Sequence, residues 1–344
     1  MEDQLYLLYL FDQKQWRRPL AIQALLKGKR TVSNLYAGLD YDLLPLYQLL
    51  PHLPAEKFQQ ALNQLLTAGL LEQAARAVRL TATGVAAKAR WQTAAILPVN
   101  YSGFEFQHSR EFSDSLFLAT QAVSELQAHN RRYFPLEVSA ATQYHVKQWL
   151  YQQDISLVAE RLQHEWELLL GALPQQQADY YSQFLLGYQV QRATTNQADQ
   201  LAGWSPLTGE LVRQEVSHHF LRLLTTQAAR FPLLAALWQP LASGPLSQSA
   251  AQTLAMLQQG WSLEVISQRR RVKVNTLKEH LLEAAILLAD FPFATYLSTS
   301  VRQTLALTFD QQPVDQWRFD QLADSGLDFF EFRLYQIERR KQHG

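Results

Sequence analysis

The sequence predicts a mainly α-helical protein with a winged-helix-like N-terminal domain, a helical middle and a C-terminal helix-turn-helix module. Three observations carry this. Apolar residues recur at helical spacing through most of the 344 residues. Strand signal is confined to one pair of short segments around residues 70–81. The stretch Gly260–Ala284, GWSLEVISQRRRVKVNTLKEHLLEA, reads as a helix, a tight basic turn and a second helix.

The first domain is placed at residues 1–97. Helical periodicity covers Gln4–Phe11 and Leu20–Leu26, and Thr31 or Ser33 starts another short helix. Pro54 opens the clearest one, through Phe58, Leu62, Leu65 and Leu66 to a stop at Gly69. Leu70-Leu71-Glu72 and Val78-Arg79-Leu80-Thr81 are two short strands across an alanine-rich turn, the pattern of a wing. Thr83-Gly84 closes it, and a helix follows to about Ile96.

Pro, Asn and Gly near Leu97-Pro98 mark a boundary. Residues 98–240 then read as a helical middle domain, with helices at Glu111–His129, Glu137–Gln153, Ile155–Leu170, Gln175–Val190 and Leu207–Ala229. Ser205 caps the last of these and Pro206 sits in its first turn. Leu241–Pro245 is a second linker, and residues 246–338 form the third domain, beginning with a helix over Ser249–Gln258. The tail, Arg339–Gly344, reads as frayed or solvated.

Composition sets the class. Hydrophobic content of 47% with 18% charged residues excludes a mainly disordered chain. The absence of cysteine excludes a disulfide scaffold and thiol chemistry. MEDQLYLLYLFDQKQW starts acidic and turns amphipathic, unlike a secretory signal, and no apolar run approaches the ~20 residues that span a bilayer. These features place the protein in the cytoplasm with no membrane partner. Net charge is zero, against a general charge-driven nucleic-acid coat. Its distribution is uneven: residues 1–97 carry 11 Lys/Arg and 7 Asp/Glu, residues 98–245 carry 9 and 13, and residues 246–344 carry 11 and 11. DNA is therefore expected at the two ends and not at the middle.

In the hairpin, Ser262 caps the first helix, Glu264 lies in its first turn, and Asn275 or Thr276 caps the second. Leu277, Leu281, Ala284, Ala285 and Leu288 make the second helix's core face. Its opposite face holds Glu279, Leu282, Glu283 and Ile286: two carboxylates that repel phosphate and two aliphatics that pack on the following helices. Such a helix is poorly suited to lie along a major groove. The expected DNA contacts gather at the turn and the start of the second helix: Arg269, Arg270, Arg271, Lys273, Asn275 and Lys278. Lys27, Lys29 and Arg30, around Gly28, form a secondary cationic run; a solvated turn is the alternative for both runs. Most of the patch Phe329, Phe330 and Phe332 reads as core, with Glu331 and Arg333 outside.

No catalytic motif is evident. Gly28-Lys29 lacks the rest of a phosphate-binding loop, and no G-x-G-x-x-G or G-x-S-x-G stretch occurs. Glu215 and His218 have the i, i+3 spacing of carboxylate-bridged di-iron bundles but no matching second pair, and Glu160 with His164 has the wrong spacing. They are read as ordinary surface or core residues. No enzyme activity, metal or cofactor is expected.

The hairpin, with VRQTLALTFDQQPVDQWRFDQLADSG and LDFFEFRLYQIER after it, resembles the helix-turn-helix domain that follows the motor core in RecQ-type helicases. It is similar too to the free-standing YpbB-like helix-turn-helix proteins of Firmicutes, whose opening segment is matched by Leu25-Leu26-Lys27-Gly28-Lys29-Arg30-Thr31. The likeness covers both ends and not the glutamine-rich middle. It implies a DNA-binding accessory in recombination or repair, without a helicase motor of its own and partnered by a RecQ-type helicase; the faces of the second hairpin helix add that binding is without sequence preference. A transcriptional regulator, or a protein-interaction adaptor without DNA contact, is the alternative.

Overall fold

In the computed structural model, which describes residues 2–93, 95–323 and 325–343, helices dominate and the named strands form one two-stranded sheet. The first part of the chain runs α1 (Glu2–Tyr9), α2 (Pro19–Leu26), α3 (Val32–Asp40), α4 (Ala55–Thr67), β1 (Leu71–Ala74), β2 (Ala77–Leu80) and α5 (Ala82–Gln92). Then come α6 (Ser109–Gln127), α7 (Ala140–Tyr151), α8 (Val158–Gly171), α9 (Gln175–Ser182), α10 (Thr195–Ala202), α11 (Pro206–Thr226) and α12 (Pro232–Trp238). The last part holds α13 (Gln248–Gln258), α14 (Leu263–Arg270), α15 (Val274–Leu287), α16 (Phe293–Tyr296), α17 (Thr299–Phe309) and α18 (Phe329–His343).

Local chemistry sets the boundaries. Thr31, Ser139, Ser205, Ser247, Ser262 and Ser298 each accept a backbone N–H as N-caps, and Pro206 stands in the first turn behind Ser205. Gly69, at φ +67, ends the turn after α4. Some boundaries differ from the sequence expectation. α5 starts earlier: Thr81 is its cap, so Thr83 and Gly84 lie inside the helix. Gly84 is required there because a Cβ would fall on the carbonyl oxygen of Leu70. α5 ends at Gln92 rather than about Ile96, and α9 at Ser182 rather than Val190. Two further helices form, α10 behind a Thr194/Gln197 capping box and α12 behind Pro232.

The chain packs as two compact units that interleave along the sequence. The first comprises Met1–Tyr9, Gln60–Glu72 and Leu80–Ser243. Its core is a helical cluster including Phe112, Leu116, Trp166, Tyr181, Phe220 and Leu234. Glu165, 2% exposed, crosses this core to accept the amides of Leu233 and Leu234 at 2.8 and 2.9 Å, capping α12 from α8. Trp149 and His145 fix α7 against the same element through the carbonyls of Leu233 and Leu237, both at 2.9 Å.

The second unit comprises Leu10–Gln59, Gln73–Arg79 and Gly244–Gly344. α15 is its axis, packed by α13, α14, α18 and also by α3. Arg17 and Val78 exchange backbone hydrogen bonds at 2.9 and 2.8 Å, an antiparallel bridge onto the hairpin. The C-terminal residues are helical rather than frayed: Arg340 donates to the Asp40 carbonyl at 2.5 Å and Lys341 to that of Leu288 at 2.6 Å. Gly344 lies outside the described residues.

Candidate nucleic-acid interface

α13, α14 and α15 pack on one another as three helices, with α14 and α15 joined by a turn of three residues, Arg271, Val272 and Lys273. Arg271 takes the left-handed conformation at φ 54, ψ 43, a conformation that disfavours a β-carbon. That reversal directs α15 back across α14. Ser267 closes the turn by donating its hydroxyl to the Val272 carbonyl at 2.6 Å. The start of α15 departs from expectation. Neither Asn275 nor Thr276 is its cap: the helix begins at Val274, and Lys273 occupies the N-cap with no side-chain bond to the helix. Lys273 holds extended φ/ψ there, so Asn275 and Thr276 already lie within the helix.

The six expected contact residues fall into two groups. Arg271, Lys273 and Asn275 are exposed, and Arg269, also exposed, lays its guanidinium over the Trp261 ring at 4.5 Å. Arg271 and Lys273 have no acidic partner among the described residues. Arg270 turns inward instead. It donates to the Ser249 carbonyl at 3.0 Å, the Ser249 hydroxyl at 2.8 Å and the Thr253 hydroxyl, tying the end of α14 to α13. Thr253 also bonds His280 Nδ1 at 2.8 Å. Burial, with Arg270 beside it, pushes the His280 pKa down. Lys278 is paired with Asp328, and its ammonium sits 5.5 Å from the Phe330 ring centre.

In the secondary run, Lys29 is exposed and Lys27 half-buried, but Arg30 is an internal residue. Its guanidinium meets Glu283 Oε1 at 2.8 Å, and the same oxygen accepts the Ser247 amide at 2.7 Å. Glu283 is therefore buried and neutralised rather than facing outward. Leu282 and Ile286 are buried beside it, as their aliphatic character required, while Leu288 is only half-buried. The exposed residues of α15 lie in its first turns: Asn275 and Glu279 are exposed, and Leu281 through Ile286 are all buried. Phe332 is core at 2% exposure, whereas Phe329 is 48% exposed and Arg333 stacks over Tyr36 at 4.0 Å.

Glu215 and His218 are structural neighbours in the first unit. Glu215 accepts the Asn100 amide, and His218, fully buried, accepts the Ser102 amide at Nδ1 at 3.0 Å while stacking on Tyr101 at 4.1 Å. Burial and then Arg222 push the His218 pKa down to about 3. Among the described residues no group of His, Asp and Glu could hold a metal ion, and no helix is long and apolar enough to cross a membrane.

Residues 249–336, from α13 into α18, match a family model described as a helix-turn-helix domain. No curated protein and no solved structure matches the chain. The C-terminal region therefore carries a helix-turn-helix domain, a type of module that suggests DNA binding.

Proposed function

We propose that this protein is a non-catalytic, cytoplasmic accessory of DNA recombination or repair, which binds DNA without sequence preference and works with a RecQ-type helicase. The observation that carries the DNA reading is the cluster of exposed cations at one turn: Arg269, Arg271 and Lys273, beside the exposed start of α15. Charges placed this way suit phosphates. The burial of α15 beyond its first turns supports indifference to sequence, because α3, α13 and α18 cover the rest of the helix and leave only its N-terminal end, with the Glu279 carboxylate on it, to meet DNA. It also argues against an operator-reading transcriptional regulator. The helicase partnership rests on the sequence resemblance alone. The winged-helix-like reading of the N-terminal region is supported by the β1–β2 hairpin and its bridge to Arg17.

A second reading, an adaptor that never touches DNA, is favoured by Arg30, Arg270 and Lys278 already being engaged within the chain. Fluorescence anisotropy with single-stranded, duplex and forked DNA at two salt concentrations separates the two. Changing Arg269, Arg271 and Lys273 to Ala is expected to weaken duplex binding and to lower the salt slope by up to about 3. Arg270→Ala is expected to act differently, lowering the melting temperature through its lost internal bonds. Absence of binding to single-stranded, duplex and forked DNA by the wild-type protein would leave the adaptor.

A further inference from the structure

The outward face of α7 has no role in the contacts described so far. The helix reads AATQYHVKQWLY and contains no carboxylate. Its inner face is fixed: Val146 and Trp149 are buried, and Trp149 and His145 bond to backbone carbonyls of α12. That anchoring leaves Tyr144, Lys147 and Tyr151 together on the opposite side, at i, i+3 and i+7. Tyr144 is 66% and Tyr151 72% exposed, and the Lys147 ammonium stands 5.7 Å from the Tyr151 ring centre. The segment before α7 carries further cations and an aromatic ring. Arg131 and Arg132 are exposed and Phe134 is 97% exposed. This segment is held in place: the Gln121 side chain donates to the Phe134 carbonyl at 2.9 Å and accepts the Leu136 amide at 2.7 Å. The fixed backbone thus presents the Phe134 ring to solvent.

We infer that this surface binds single-stranded DNA, with Tyr144 and Tyr151, and Phe134 before them, stacking on bases and Lys147, Arg131 and Arg132 meeting the phosphates. Aromatic rings alternating with cations, and no acid on the helix itself, complement a polyanion whose bases are unstacked. Duplex DNA does not fit, because its base faces are already occupied by one another. The two tyrosines stand about 10 Å apart along the helix axis, far enough for each to take a different base. Acidic side chains flank α7 itself: exposed Glu137 lies between Phe134 and the helix, and Asp154 follows it, the latter occupied by the Ser156 hydroxyl at 2.6 Å and amide at 3.0 Å. The expectation that the acidic middle avoids DNA thus does not extend to this face. The inference stands on residues separate from the helix-turn-helix turn and does not need the turn to bind.

The test uses the full chain and a fluorescent oligothymidine strand beside a blunt duplex. Tyr144→Ala with Tyr151→Ala is expected to weaken binding of the single strand by roughly tenfold or more while leaving the duplex unaffected. Tyr144→Phe with Tyr151→Phe keeps both rings and is expected to retain affinity. Lys147→Gln is expected to reduce the salt slope for the single strand. The inference is overturned if the wild-type protein does not bind the strand, if the Ala pair binds it as well as wild type, or if the Ala and Phe pairs lose affinity equally. Loss of duplex binding in the Arg269/Arg271/Lys273 variant, with the strand still bound, would keep the two sites distinct.

Discussion

At the residue scale, proximity in sequence says little about role. Arg269, Arg270 and Arg271 are consecutive, yet the first stacks on Trp261, the second is hydrogen-bonded to α13 and the third makes the reversal between helices. A 100° step per helical residue separates them, and the hydroxyls of Ser249 and Thr253 select which guanidinium turns inward. His218 offers a pH prediction at this scale. Its folded-state pKa of about 3 lies below the ordinary value of 6.5, so its contribution to stability is present above about 6.5 and is lost as pH falls toward 3. Thermal melts across that range should show the fall. His218→Phe should lower stability at neutral pH by about 1–3 kcal/mol, because the Ser102 amide loses its acceptor, and should make the acid-side decline shallower. An unchanged pH slope would show that other groups govern it.

At the scale of elements, most of the fold was legible wherever a local signal existed. Ser262 before α14, Ser205-Pro206 before α11 and Gly69 after α4 are punctuation that acts within one helical turn, and each stands where the sequence places it. α10 was missed although its capping box, Thr194 with Gln197, is written in the chain; the helix is only eight residues long. The partners of Arg30 and Phe329 were not legible, because nothing local to either residue encodes what packs against it. The inward turn of Arg270 depends likewise on Ser249, 21 residues away. α12 depends on a neighbour too. It has no side-chain cap of its own, and its free amides are met by Glu165 from α8. Glu165→Gln replaces one carboxylate oxygen by an N–H donor facing another donor. It is expected to cost about 1–3 kcal/mol, read as a lower denaturant midpoint with an unchanged slope.

At the scale of the whole molecule, the helix-turn-helix region is not self-sufficient. α15 has buried residues on several faces, and one of the helices that covers it, α3, belongs to residues 10–59. A fragment of residues 246–344 leaves the Glu283 carboxylate without Arg30 and the covered aliphatics in water. Such a fragment is expected to lack a cooperative thermal transition, and a version with residues 10–59 joined through a flexible linker to regain one. A sharp, reversible melt of the short fragment would refute this dependence.

The Arg30–Glu283 pair also has a consequence in time. The two residues are 253 positions apart. At about 5–20 residues per second, translation places Glu283 some ten to fifty seconds after Arg30. During that interval α3 exists without the helix it is to cover, while the residues that build the other unit are still being added. Its apolar face, Leu35 included, must wait in the nascent chain, dependent on whatever shields unfinished surfaces in the cell. A slow-translating stretch between residues 80 and 243 would lengthen that exposure, so the yield of folded protein should respond to codon choice in a region remote from the helix at risk.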